Sequence, residues 1–274
     1  MCNYKGMKLS RNELMEKLKI ERQLEESHTM EIDYQSPIHN GFDYKKIDIV
    51  VPEPDCKWTI AEMEWGFIPE YWWTRKDVEN HRRGFTDSKG VYHPQMTTLN
   101  AKGEDLLKPG KMYRDAALHR RCLFPATEFY EWRHIFPLGK KGQPLKTPVK
   151  YPYHIAVKNK EVFLIAGIWQ TWTDRETGET VDTCANITTV ANSIMAQVHN
   201  SKKRMPVILT EQLANEWISE GLSEQRITEI ATFQLPSKEI DVYPIRKDFL
   251  TALDPSERFQ YEGLSELVYE EEVV

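Results

Sequence analysis

The first two residues of this chain, Met1-Cys2, carry chemistry that depends on their position. A cytosolic chain commonly loses its initiator Met when the second residue is small, and Cys is small. Loss of Met1 would leave Cys2 with an α-amine and a thiol on adjacent carbons. Their reference pKa values, roughly 7.7–8.0 and about 8.5, give each a nucleophilic fraction near neutrality. An aldehyde meeting that pair can form an imine and then close to a five-membered thiazolidine, whereas an acyl group would be attacked by sulfur. One cysteine is thin evidence by itself, so the rest of the chain must supply the reason to use it.

Three other residues have suitable chemistry. In RRCLFPATEFYEWRH (120–134) the period is that of a strand, which puts Phe129 and Glu131 on one face and Tyr130 and Trp132 on the other. Glu131 among aromatic side chains is a candidate acid/base, and equally an edge-strand carboxylate turned to solvent. His199 follows an apolar strand and precedes Lys202, Lys203 and Arg204. It is a candidate proton shuttle if it faces a pocket, and ordinary surface if it does not. Asn100 ends a short apolar stretch and reads locally as a turn or cap. The kinked aromatic run WGFIPEYWW (65–73) would either line a core or offer flat faces to bases.

The elements that must position these residues are mostly strands. Residues 46–51, 58–65, 153–157, 162–173, 184–192 and 239–245 have strand patterns, and 162–169 is apolar enough to lie inside a sheet. Helices are expected over 11–25, opened by the Ser10/Glu13 capping box, over 211–220, and from Ser223 onward. Residues 74–98 read as an irregular polar insertion and 136–150 as a mobile basic loop. The acidic end, 256–274, reads as disordered or packed on the outside.

With 274 residues, 40% hydrophobic and 28% charged, the chain suits one large strand-rich domain. A net charge of −6 excludes a global basic field, so any nucleic-acid contact must be local. No apolar leader or 18-residue apolar run is present, which argues for a cytoplasmic protein without a membrane span. Cys2, Cys56, Cys122 and Cys184 are widely spaced, so free thiols are expected and neither a metal nor another cofactor.

Taken together the motifs resemble the SRAP (SOS-response-associated peptidase) family. They occur in the family's order: Met1-Cys2, WGFIP (65–69), LNAKGE (99–104), RCLFPATEFYEW (121–132), PYHI (152–155), AGIW (166–169), and ITTVAN (187–192) with His199 ahead of RMPVIL (204–209). The resemblance implies an α+β fold, a strand-rich, barrel-like domain with flanking helices over 1–250, followed by an acidic tail, 251–274. It implies covalent capture of abasic sites in single-stranded DNA by Cys2, acting as a cytoplasmic, nucleoid-associated monomer. A weak lyase activity and self-removal of Met1 would accompany capture. Carried over by position, Asn100 would anchor the N-terminus, Glu131 would manage the proton of the α-amine, and His199 would protonate the sugar oxygen. Trp72, Trp73 and Trp132 would stack bases, and Lys102 and Arg204 would meet phosphates. A thiol peptidase built on Cys2, His199 and Asn100 is the first alternative reading, and a non-covalent binder of modified or single-stranded DNA the second.

The chain departs from the family pattern in four places. Lys102 stands where Arg is usual, and Asn3-Tyr4 where Gly-Arg is usual. His199 and Arg204 are separated by four residues rather than one, and HNGFD (39–43) replaces an Asn-x-x-Pro pattern.

Overall fold

The structure, a computed structural model, describes residues 2–20, 38–53 and 57–269. The first half of the chain forms β1 (Tyr4–Gly6), α1 (Arg11–Lys17), β2 (Ile38–Asn40), β3 (Lys46–Glu53), β4 (Lys57–Trp65), α2 (Arg75–Arg83), β5 (Phe85–Thr86), β6 (Tyr92–His93), β7 (Asn100–Lys102), α3 (Arg114–His119), β8 (Arg121–Ala126) and β9 (Glu128–Ile135). The second half adds β10 (Val149–Val157), β11 (Phe163–Thr173), β12 (Thr180–Val190), α4 (Ser193–Val198), β13 (Arg204–Pro206), β14 (Ile208–Leu209), α5 (Glu211–Trp217), α6 (Glu224–Ala231) and β15 (Ile240–Pro244).

Five long strands close on themselves in the order β12-β4-β3-β8-β11, because β11 also pairs with β12. Most of these contacts are antiparallel; β12 meets β4 and the short β7 in parallel. A second, antiparallel sheet runs β15-β10-β9-β1-β2. The fold is therefore α+β and barrel-like.

Alternation along β11 explains how the strands are buried on both faces. Phe163 and Ile165 join a cluster that also holds Cys2, Phe124, Phe129 and Tyr153, whereas Leu164, Ala166 and Ile168 face helices α3, α5 and α6. Trp217 of α5 ties the helical layer on, its Nε1 donating to Cys122 O and Gly167 O at 3.1 Å each. Gly167 is required here by space, since a Cβ would lie 2.4 Å from the Phe124 ring.

The expected strands are all present. Differences fall at helices and ends. The Ser10/Glu13 box opens α1 as expected, but regular helix stops at Lys17, and 21–25 lies outside the described residues. The 74–98 stretch is not irregular: Thr74 and Asp77 form a second capping box for α2, followed by the β5–β6 hairpin. Strand β12 ends at Val190, where Asn192 caps α4 by accepting from Met195 N at 2.9 Å. The tail is packed through Tyr269: Tyr261 Oη donates to Ile245 O, and Ser265 and Val268 bond to Arg133 and Gln197. Among the described residues no helix is long and apolar enough to cross a membrane, and no group of three His, Cys, Asp or Glu could hold a metal.

Candidate active site

Strand β1 delivers Cys2. It is held on both edges, by β2 (Lys5↔His39) and β9 (Lys5↔Phe129), and Gly41 N donates to Asn3 O at 2.8 Å. The HNGFD segment, from which the family pattern offered nothing, is thus a clamp on the N-terminus. Cys2 is 2% exposed and its thiol contacts Tyr4 O at 3.8 Å. Burial, reinforced by the charge of Glu131, pushes the thiol well above its ordinary pKa. Lys5 opposes that effect on the thiol; burial brings its own ammonium down to about 8, while its Nζ donates to Pro125 O at 2.7 Å.

Glu131 and His199, which the resemblance gave separate roles, come together. The two sit on different elements, β9 and the C-terminal end of α4, and their side chains are buried with His199 Nε2 3.9 Å from Glu131 Oε2. His199 Nδ1 lies 2.8 Å from Arg204 O and 3.3 Å from Arg204 N, which orients the ring and leaves Nε2 as the atom directed at Glu131. The longer His199–Arg204 loop does not displace the imidazole. Asn200 folds it back onto β9 by accepting from His134 N (2.9 Å) and donating to His134 O (2.7 Å).

Asn100 reaches the same N-terminal segment. Its Nδ2 donates to Asn3 Oδ1 at 2.8 Å. Leu99 O, one residue earlier, accepts from Trp65 Nε1 and Asn186 N, which holds β7 against β12. Asn3, counted in the sequence only as a missing Gly, is therefore an anchor. Of the residues in the papain-like reading, His199 Nδ1 is engaged with Arg204 O and the Asn100 amide nitrogen with Asn3 Oδ1.

The residues expected to contact DNA are more scattered. Lys102 is exposed two residues beyond Asn100, on the same face of β7. Arg204 is occupied by Glu104 (2.9 and 2.8 Å) and Thr188 O, so a phosphate would have to compete with a bidentate carboxylate. Trp132 lies half-buried on the opposite face of β9 from Glu131, edge-on to Tyr4 at 5.0 Å. Trp73 is 54% exposed and covered on one side by Arg175, near the tip of the β11–β12 hairpin. Six residues of strand separate that tip from Asn186, roughly 20 Å.

The base-stacking assignment of Trp72 is corrected. It is 1% exposed, stacked on His81 at 4.6 Å, and packed with Ile68, Val78, Trp172 and Val181. Of the two neighbouring tryptophans, Trp72 is the core member and Trp73 the exposed one.

The family model for SOS response associated peptidase (SRAP) matches residues 1–251. The chain belongs to the SRAP family. Abasic site processing protein YoqW of Bacillus subtilis is 31% identical over 161 residues, and YoaM of the same organism 28% identical over 161 residues. Both alignments cover 58% of this chain and 57% and 56% of the relatives, so the chain spans little more than half the length of the curated relatives it matches. A crystal structure of a protein from Bacteroides thetaiotaomicron superposes with a TM-score of 0.73 at 26% identity, covering 93% of this chain and 97% of that one. One from Bordetella bronchiseptica gives 0.63 at 17% identity, covering 89% and 100%, a likeness of fold alone. In this SRAP chain the tail beyond residue 251 lies outside the family match, yet it bonds to Arg133 and Gln197, each two residues from Glu131 and His199 respectively.

Proposed function

We propose that this protein processes abasic sites in single-stranded DNA by capturing their aldehyde on Cys2 once residue 1 has been removed. The observation that carries the reading is one buried thiol, at the chain terminus of the family pattern, under the charge of Glu131 with His199 beyond it. The names of the Bacillus relatives point to the same lesion.

The order of events follows from the thiol. A sulfur held protonated by burial is a poor first nucleophile, so the freed α-amine attacks the aldehyde carbon. Glu131 accepts a proton from the ammonium to expose the nitrogen lone pair. His199, as the imidazolium with a proton on each ring nitrogen, passes the Nε2 proton to the sugar ring oxygen as the ring opens and is left neutral with its proton on Nδ1. The aldehyde oxygen leaves as water, giving an imine. Sulfur then adds to the imine carbon while its proton passes to nitrogen, closing the thiazolidine with no oxidant or cofactor. Diverted at the imine, loss of the proton on the adjacent carbon expels the 3′ phosphate, which is the lyase activity expected alongside capture. In this reading Glu131 also acts in removal of Met1. Lys102 and Arg204 serve phosphates in this reading, and Trp73 and Trp132 serve bases.

The test is to mix the mass-verified Cys2-terminal protein with an abasic single-stranded oligonucleotide and run a denaturing gel, with Cys2→Ala as control. A heat-stable shifted band that vanishes in the control is the expected result. Its absence with correctly processed protein removes the capture reading.

A further inference from the structure

Beside Asn100 stands a second buried amide that none of the motifs brought into view. Asn186 is 2% exposed, and neither Oδ1 nor Nδ2 has a hydrogen-bond partner. Asn100 Oδ1 is likewise buried and without a partner. The two residues are register partners in the parallel β7–β12 pair, so their side chains share a face on strands about 4.8 Å apart. That face is settled by their neighbours. Ala101 and Ile187, one residue on, belong to the cluster under the helices, whereas Cys184, two residues before Asn186, belongs to the cluster that contains Cys2. Both amides therefore turn to the Cys2 side of the barrel.

An amide buried without partners is unfavourable for folding, and an apolar residue of the same shape would remove the penalty. Two of them side by side on the face of a reactive thiol suit a ligand that supplies the missing bonds. Their chemistry selects its class: paired neutral donors and acceptors fit hydroxyl and carbonyl oxygens, whereas phosphate would call for a cation.

We infer that Asn186 is a sugar-binding residue of this site, donating from Nδ2 to a neutral oxygen of the opened deoxyribose while Asn100 holds the N-terminal segment. This rests on the capture reading above. It makes Asn186 a residue of the reacting centre whose cost in the free protein is recovered only as the bound sugar opens, not when the DNA first binds.

The experiment compares Asn186→Leu with the parent, both as Cys2-terminal chains, measuring adduct formation on an abasic single-stranded oligonucleotide over a range of DNA concentrations, and thermal unfolding. The expected result is a saturated rate lower by about tenfold, the loss of one hydrogen bond at the reacting centre. The half-saturating DNA concentration should be unchanged and the melting temperature equal or higher. A parent-like saturated rate overturns the inference. So does a loss of rate accompanied by a lower melting temperature in Asn186→Leu and undone by Asn186→Ser at the parent's stability, which would mark a structural role. Should Asn186→Leu not fold, Asn186→Ala is read by the same rate criterion. A parent that forms no adduct at all indicts the capture reading instead, so the two failures are distinguishable.

Discussion

Glu128 and Glu131 stand three residues apart on β9, hence on opposite faces, and each has a histidine near the limit of ion-pair range. His154 Nε2 is 3.5 Å from Glu128 and His199 Nε2 is 3.9 Å from Glu131. On the first face Lys8 Nζ lies 2.9 Å from the carboxylate and Tyr130 Oη donates to it at 2.8 Å. Burial alone would raise Glu128, but the nearby His154, Lys8 and Tyr130 outweigh it and hold the carboxyl below its usual value. Its histidine is stacked on Tyr243, with ring centroids 4.7 Å apart. On the second face the carboxylate's charge falls on a buried thiol and raises it. Residue types and distances are alike on the two sides. What differs is the neighbour: a lysine and a phenol that settle the charge, or a nucleophile that the charge perturbs.

Glu128 therefore works as a fastener. Lys8 follows directly from β1, and Gly6 packs so closely on Glu128 that a Cβ would lie 2.4 Å from its Cγ. The fastener on one face keeps β1 in register so that Cys2 meets Glu131 on the other.

The sharpest way to break this comparison is to exchange the charges one at a time. Glu131→Gln should slow adduct formation by about 100-fold, the usual scale for a lost general acid/base, with little change in unfolding midpoint. Rates equal to the parent at several pH values would take Glu131 out of the mechanism. Glu128→Gln should do the reverse. It leaves Lys8 and His154 without their carboxylate and should cost about 2 kcal/mol of stability, less than a fully buried pair because Lys8 is 42% exposed. In denaturant titrations it should unfold earlier, while adduct formation on the folded protein stays within about twofold of the parent. If the two variants gave the same pattern, the division of labour between the faces would be wrong.

How much of this could be read from the residues alone differs between fold and site. The strands were legible because β3, β11 and β12 are long, with apolar runs mostly buried on both faces. The short helices α2 and α4 were not: six to nine residues give little periodicity, although Thr74/Asp77 and Asn192 carried capping signals. Strand period told which residues share a face with Glu131, and the structure agrees that Phe129 and Trp132 lie on opposite sides. It could not tell that Glu128, in the same TEFYEW run, is held by Lys8 while Glu131 faces the Cys2 thiol, because Lys8 and Cys2 arrive from the far end of the chain. The selection of Glu131 came from the family resemblance. Asn186 was invisible for a related reason: a single Asn inside a strand pattern reveals itself only when the register sets it beside Asn100.

Acid should separate the faces again. A carboxyl held below its unfolded value stabilises the protein above that value, about 4.3, and stops doing so as pH falls through the folded one. The stability difference between parent and Glu128→Gln should be constant from pH 7 to about 5 and shrink below about 4. A difference that persists undiminished at low pH would mean that shape, not charge, holds β1 to β9.

Alkali tests the lysine on the Cys2 side, and here the sign is opposite. Lys5 is buried with its ammonium brought down to about 8, so between that value and its unfolded value, about 10.4, the unfolded chain holds the extra proton. Stability contributed by Lys5 therefore rises with pH across this window. Cys2, Cys122 and Cys184, all raised by burial, pull the other way over the same range, so the parent's own curve is not diagnostic. The difference between parent and Lys5→Met is. It should shift in the parent's favour by about 2 kcal/mol from pH 8 to 10, below the limit of about 2.8 kcal/mol for one proton over two pH units. A flat difference would place the Lys5 ammonium in contact with water, away from the thiol on which it is set against the charge of Glu131.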